Sequence, residues 1–439
     1  MGCRAFRAEL LSVPHDPRDR PGAVRYEPDG LLVVEDGIVV ARGGYAQLKD
    51  RFAHVPVEVL HGLVVPGFVD AHVHYPQTDC IASYGEQLLD WLERHIFPAE
   101  SAFADRAHAD DTAAFFLAEL LRHGTTSALV FPTVHAQSVD ALFEAALERR
   151  MRILSGKVLM DLGPEGLRDT PASGRAQSDE LIRRWRGRGR LGYAVTPRFV
   201  PTSSADQLSE AGKLLAEHPD VLLHTHLSEN VREIADVAAR FPEAADYLDV
   251  YDRFGLVGPR SVFAHGVHLS DRACGRLHQS GAGIAVCPSS NLFLGSGHFD
   301  FAQADLHRIR LGLGTDIGAG TTFSMLRTAG LAYEVAMARD CRIDPFRALY
   351  LATAGSASLL HIADRVGSLE PGQEADFAVL DCKATPLLAR RTAGSDLADR
   401  LFALQILGDD RVVARTYIMG QCAWDRDEPE IRMKCENGL

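Results

Sequence analysis

The rhythm of apolar positions changes near residue 63 of the 439-residue chain. Before it the apolar residues fall in short runs. Leu31–Val34 and Gly37–Ala41 flank Glu35-Asp36, the pattern of a β-hairpin. After it, near-continuous apolar runs alternate with helical windows. The runs Leu63–Tyr75, Ser127–Phe131, Met151–Met160, Leu191–Phe199, Val221–His226, Ser261–His265, Gly283–Cys287 and Arg310–Thr315 predict strands. Uninterrupted apolar character suits parallel strands buried on both faces. Between them, Asp110–His123, Val139–Arg150 and Ala205–His218 space their apolar residues at helical intervals.

Eight strand–helix units over roughly 270 residues predict an α/β fold, a (β/α)8 TIM-type barrel. Residues 322–362 read as helical. Ala375–Leu380 and Val412–Met419 read as late strands that need a sheet partner. The simplest partner is the strand-rich N-terminus. The expected organisation is a barrel over 63–365 and a small β-sandwich-like domain built from 1–62 and 366–439.

Composition narrows the picture. Hydrophobic residues make up 46% and charged residues 24%, ordinary values for a globular enzyme. The formal charge of -13 argues against nucleic acid or an anionic membrane as partner. Eight cysteines without a Cys-x-x-Cys pair predict a reduced, cytoplasmic protein. No apolar run is long enough for a signal peptide, or for the ~18 residues that span a bilayer.

The candidate chemistry sits at strand ends, where a barrel places its active site. His72 and His74 are two residues apart and share one face of a strand. Strand five ends in His224-Thr225-His226-Leu227-Ser228-Glu229, strand six in Ala264-His265-Gly266, strand eight in Gly314-Thr315-Asp316. Nitrogen and carboxylate donors on one rim point to metal chemistry. Cys287 ends strand seven with no base indicated beside it, so it reads as structural or pocket-lining. Ser289, Ser290 and Asn291 read as turn formers. His123, His135 and His268 read as ordinary polar residues.

Pro66-Gly67-Phe68-Val69-Asp70-Ala71-His72-Val73-His74, the histidines of strands five and six, and Gly314-Thr315-Asp316 resemble the amidohydrolase superfamily. Ser368–Asp376 is similar to that family's return into its small β-domain. Longer strings are similar to the guanine deaminase branch: His74-Tyr75-Pro76-Gln77, Tyr84–Leu92, Thr196-Pro197-Arg198-Phe199, His224–Asn230, Cys287–Leu292 and Gly314–Thr322. The resemblance implies metal ligands His72, His74, His226 and Asp316. Such ligands suit zinc and leave room for a water, and ligand type alone does not separate zinc from iron. Strand four offers Arg198 and no lysine to bridge a second ion, so one ion per subunit is expected. Lys157 reads as structural, and His224 as structural or supporting.

By resemblance the reaction is hydrolytic deamination of guanine to xanthine and ammonia. Glu229, three residues after His226, would shuttle protons. His265 would contact the water or the developing oxyanion, and Asp316 would both ligate and accept a proton. Which of Glu229 and Asp316 first deprotonates the water stays open at this level. Gln77, Arg198, Phe199 and His265 would bind the purine, with Arg198 offering a fork of donors. Tyr84, Trp91 and Phe97 would form a lid, a pocket wall or plain core. The nearest rival substrate is another aminopurine, a pterin or a triazine. A non-catalytic scaffold predicts missing ligands, yet every ligand position is filled. A polynucleotide deaminase is disfavoured by the acidic balance. Relatives suggest a homodimer.

Overall fold

The computed structural model describes residues 2–85 and 87–428; Glu86, Cys435 and the rest of the C-terminal tail lie outside them. Four strands come first: β1 (Cys3–Ser12), β2 (Arg25–Glu35), β3 (Ile38–Gly44) and β4 (Val57–Pro66). The predicted hairpin forms at Asp36-Gly37, where both residues adopt positive φ. Nine barrel strands follow: β5 (Phe68–His74), β6 (Thr125–Phe131), β7 (Arg152–Ser155), β8 (Val158–Leu159), β9 (Gly192–Pro197), β10 (Leu222–Leu227), β11 (Ser261–His265), β12 (Gly283–Val286) and β13 (Arg310–Leu313). The chain closes with β14 (Phe377–Leu380), β15 (Val413–Ile418) and β16 (Gln421–Asp425).

The two chain ends join in one seven-stranded sheet, ordered β16-β15-β14-β4-β1-β2-β3. The sheet curls on itself. Val39 N–H donates to Gln373 O at 2.8 Å, and Ile38 bridges to Glu374, so β3 returns to the chain just before β14. Alternation along the strands then fills the enclosed side with Phe6, Leu32, Val34, Val64, Phe377 and Tyr417. Phe377 and Tyr417 stack at 4.4 Å.

Leu63–Tyr75, expected as one strand, is divided between the two sheets at Gly67. The Gly67 N–H donates to Asp376 O at 2.9 Å, while a Cβ there would lie 2.2 Å from Thr126 Oγ1. Only glycine lets the chain step between the layers at this spot. Met151–Met160 also breaks, but within the barrel sheet, at Gly156, where a Cβ would meet Ala194 O at 1.8 Å and both pieces pair with β9.

The barrel strands pair in parallel from β5 through β6, β7, β9, β10, β11 and β12 to β13, with β8 carrying on against β9. The ladder stops between β13 and β5, and the loop after β13 closes that gap. Asp316 N–H donates to His72 O at 2.9 Å, and His74 N–H to Ile317 O at 3.0 Å. Val69, Leu129, Leu154, Ala194, Leu222, Val262 and Ala285 form an apolar layer inside the barrel, plugged below by Leu359, Leu360, Ile362 and Val366. The register of β5 shifts between Asp70 and Val73. His72 within that irregularity and His74 beyond it project into the upper interior, above the apolar layer.

Below the barrel, Arg152 and Arg190 precede or begin their strands and pair with Glu374 and Asp376 of the curled sheet. Arg190 also donates to Arg150 O at 2.7 Å. Among the described residues, no helix is long and apolar enough to cross a membrane. The cysteines there are all free.

Candidate active site

Each candidate side chain hangs from the C-terminal end of a barrel strand or the loop that follows. His72 and His74 end β5, His226 lies near the end of β10, His265 ends β11, and Asp316 follows β13. His74 Nε2 lies 3.2 Å from both His72 Nε2 and His226 Nε2. Asp316 Oδ1 lies 3.1 Å from His72 Nε2 and 3.5 Å from His74 Nε2. Donors held 2.0–2.1 Å from a tetrahedral zinc stand roughly 3.3 Å apart, so these spacings fit an ion at their centre.

The tautomer of His226 agrees with that reading. His226 Nδ1 lies 2.8 Å from Arg198 O, a carbonyl that can only accept, so Nδ1 carries the proton and the Nε2 lone pair points to the centre. Burial pushes His72, His74 and His226 well below the ordinary imidazole pKa, and neighbouring imidazoles lower them further. Neutral imidazole is the form that binds metal. His72, His226, His265 and Asp316 also form a set whose donor atoms all lie within 4.8 Å of one another. His265 is the outlier of the five donors. Its Nε2 stands 3.5 Å from Glu229 Oε2 and 3.7 Å from Asp316 Oδ2, on the side of the carboxylates.

The rim is held by groups that play no part in the ligand set. Asp70 accepts N–H bonds from Thr315 at 3.0 Å and His72 at 3.2 Å, and its other oxygen takes the Thr315 hydroxyl. Burial pushes Asp70 up to about 7. His224 lies beneath His72, with its Nε2 2.7 Å from His72 Nδ1, the supporting place expected of it. Ser228, His265 and Asp316 all have positive φ, at 50°, 71° and 52°. Three non-glycine residues in the left-handed region on one rim are backbone strain concentrated at a site.

Glu229 is 3% exposed and faces the cluster, not solvent. Burial pushes its carboxyl up to about 7, with Glu233 and Asp316 adding to the shift and His265 opposing it. Ser296 Oγ donates to Glu229 Oε1 at 3.1 Å. A carboxyl that titrates near neutrality beside a candidate metal centre is suited to taking and giving a proton. Burial disfavours a charged His265, but the facing Glu229 and Asp316 outweigh it and raise its pKa. His265 Nδ1 lies 2.9 Å from Asn291 Oδ1.

One pocket joins the cluster to the predicted purine-binding residues. His74, Gln77, Trp91, Arg198, Phe199, His226, Glu229, His265 and Asp316 all line it. Trp91 is thus pocket wall. Phe97 stands behind Arg198, with the guanidinium carbon 5.4 Å from its ring centre, while Tyr84 is 85% exposed. Lys157 is fully buried and paired with Asp169, the structural place expected of it. Cys287 is buried and does not line the pocket.

Sequence reasoning passed over three residues that touch this machinery. Glu100 bonds both Gln77 and Arg198. Asn291, expected in a turn, lies in a short helix, Pro288–Phe293, and faces His265. Ser296 meets Glu229 from 67 residues away. Each makes its contact across a distance in sequence that no local pattern encodes.

Fold and site together define a barrel hydrolase with a candidate metal centre, and the chain belongs to the amidohydrolase family, whose model matches residues 63–423. Its relatives are more specific. It is 47% identical over 431 residues to the guanine deaminase of Escherichia coli strain K12, covering 97% of this chain and 98% of that protein. The solved structure of E. coli guanine deaminase superposes with a TM-score of 0.94, covering 96% of this chain and all (100%) of that one. A guanine deaminase structure from C. acetobutylicum with guanine bound in its active site, 28% identical, gives a TM-score of 0.89 with 96% and 100% coverage.

Proposed function

We propose that the chain is a guanine deaminase, which hydrolyses guanine to xanthine and ammonia. The observation that carries this reading is the pocket in which four of the five cluster donors (His74, His226, His265 and Asp316), Glu229 and the Arg198 fork meet. Similarity to guanine deaminases over nearly the whole chain supports the substrate.

His72, His74, His226 and Asp316 would hold one zinc ion per subunit. A bound ion lowers the pKa of water toward ~7, so that hydroxide is supplied at neutral pH. Glu229 would move two protons in turn, the first from the water to the ring nitrogen as the oxygen adds, the second from the resulting hydroxyl to the amine, which leaves as ammonia while the C=O forms. His265, whose protonated form the facing Glu229 and Asp316 favour, would face the oxygen as it adds. Asp316 would serve as ligand and as the alternative first acceptor of the water proton. Arg198 reads the oxo group and the adjacent ring nitrogen, Gln77 supports it, and Phe199 packs on the purine plane. Adenine presents an amine where guanine presents oxygen, and would leave buried donors unpaired.

The expected units, a barrel over 63–365 and a small β-domain over 1–62 with 366–439, would meet at Gly67 instead of residue 63, since β4 runs to Pro66 in the curled sheet. The protein acts as a cytoplasmic homodimer. The test is an assay of metal-analysed protein with guanine, quantifying xanthine and ammonia together. Equal yields of both from the parent, and none from Glu229→Ala at equal metal content, are expected. Full metal occupancy without turnover of guanine would overturn the substrate.

A further inference from the structure

We infer that Glu100 is the positioning residue that aims Arg198 and cancels its charge, so that the pocket favours neutral purines over anionic ones. The inference rests on Arg198 as purine reader. Glu100 lies in a short helix, Phe97–Ser101, and is 1% exposed. Its Oε2 accepts from Arg198 Nη1 at 2.6 Å, and its Oε1 accepts from Gln77 Nε2 at 3.1 Å. One carboxylate thus ties together the residue that follows barrel strand β9 and one from the turn after β5.

The bonds fix both side chains. Gln77 Oε1 accepts from Gly318 N–H at 3.3 Å, so both ends of its amide are tied. Its Nε2 also lies 3.1 Å from His74 Nδ1, which carries the chain of contacts from Arg198 to the metal cluster. Arg198 is 2% exposed and backed by Phe97, so without Glu100 its guanidinium would be a buried, unpaired cation. Such a cation attracts anions. Paired with Glu100, it presents donors without net charge. That suits guanine, a neutral substrate, and it also suits release of xanthine, the more acidic purine, which an uncompensated arginine would retain.

The test uses the full-length, metal-loaded protein and two variants. Glu100→Gln keeps the shape but removes the charge, and it turns a donor toward Arg198 or Gln77. Glu100→Asp keeps the charge but shortens the reach. Steady-state kinetics with guanine give KM and kcat. Calorimetry gives the affinities for hypoxanthine, a neutral purine, and urate, an anionic one, at a fixed neutral pH. Metal content is measured alongside.

For Glu100→Gln, KM rises by about 10-fold or more, the worth of a lost charge-assisted hydrogen bond, with kcat much less affected. Its preference shifts toward urate. Glu100→Asp also raises KM but keeps the parent's ratio of urate to hypoxanthine, which separates aim from charge. Should Glu100→Gln fold poorly, Glu100→Asp carries the test through its KM and unchanged ratio. An unchanged KM and ratio in Glu100→Gln overturn the inference. So does a joint fall of kcat and metal content with the ratio unmoved, the mark of a merely structural residue. A parent that turns over no guanine fails the functional reading first, before any variant is compared.

Discussion

Two buried polar clusters sit at opposite ends of the same barrel strands. At the lower end, Arg152 and Arg190 meet Glu374 and Asp376, two cations against two anions, with the remaining N–H groups of Arg190 directed at Glu374 and the Arg150 carbonyl. At the upper end, three Nε2 atoms and a carboxylate oxygen converge on one point. Charges that close on each other make a staple. Lone pairs that converge call for a cation from outside the chain. The titrations differ accordingly. Glu374 is held below its ordinary value, because Arg190 and Arg152 outweigh the opposing effect of burial. At the upper end burial wins, and Glu229 and Asp70 are both pushed up to about 7.

The largest expected effects fall on the upper cluster. Stripping the metal with a chelator abolishes xanthine formation, and zinc restores it. Glu229→Gln, with metal still bound, lowers kcat by ~10²–10⁴-fold, the range for loss of a general acid–base group. Circular dichroism and thermal unfolding stay near the parent's, since Glu229 holds no part of the sheet. Retained turnover in Glu229→Gln would make the upper cluster a structural one like the lower.

The lower cluster should answer in the opposite way. Arg190→Met leaves Glu374 and Asp376 buried with too little positive charge, at a cost of about 3–5 kcal/mol in stability. At temperatures where the variant is folded, kcat and KM for guanine stay at parental values. A drop in kcat without a drop in the thermal midpoint would couple this end to catalysis. Acid adds a second reading. The folded pKa of Glu374 is depressed, so its stabilisation is full above the unfolded-state value and is lost as pH falls through the folded-state value. Removing Arg190 brings the folded value back up. The stabilisation is then lost at higher pH. Denaturant melts of parent and variant between pH 7 and acid show the difference, of about 1 kcal/mol.

How much of each cluster was legible follows from where its partners lie. His72 and His74 share one face of a strand, whereas the choice of His226 over His224, and of Glu229 as proton shuttle, comes from the resemblance to the amidohydrolase superfamily. The barrel and the joined chain ends were readable from rhythm alone. The step at Gly67 was not, because it depends on Thr126 and Asp376, distant in sequence. Glu100 escaped for the same reason. It falls in a stretch of broken helix after β5, and its significance comes from Arg198, 98 residues on. The lower staple was invisible too, since four charged residues at strand starts look like ordinary solvated ends until the curled sheet covers them.

Cys287 gives the smallest effect and the sharpest check on what counts as part of the upper cluster. It stands among the rim residues, close enough to tempt a reading as nucleophile. Its Sγ donates to Ala285 O at 3.4 Å, and a Cβ on Gly314 would lie 3.1 Å from it, so it packs beneath the loop that carries Asp316. Burial pushes the thiol well above its ordinary pKa, and Asp316, Asp70 and Glu229 push it further. A thiol so disposed is not a thiolate at neutral pH and does not attack. Cys287→Ala is therefore expected to keep its metal and its kcat, at a cost of about 1 kcal/mol from the small cavity left behind. Iodoacetamide should label Cys287 in the parent only after unfolding, read by peptide mass. Labelling of the folded protein, or loss of kcat in the variant at full metal occupancy, would move Cys287 from the packing beneath the rim into the working cluster.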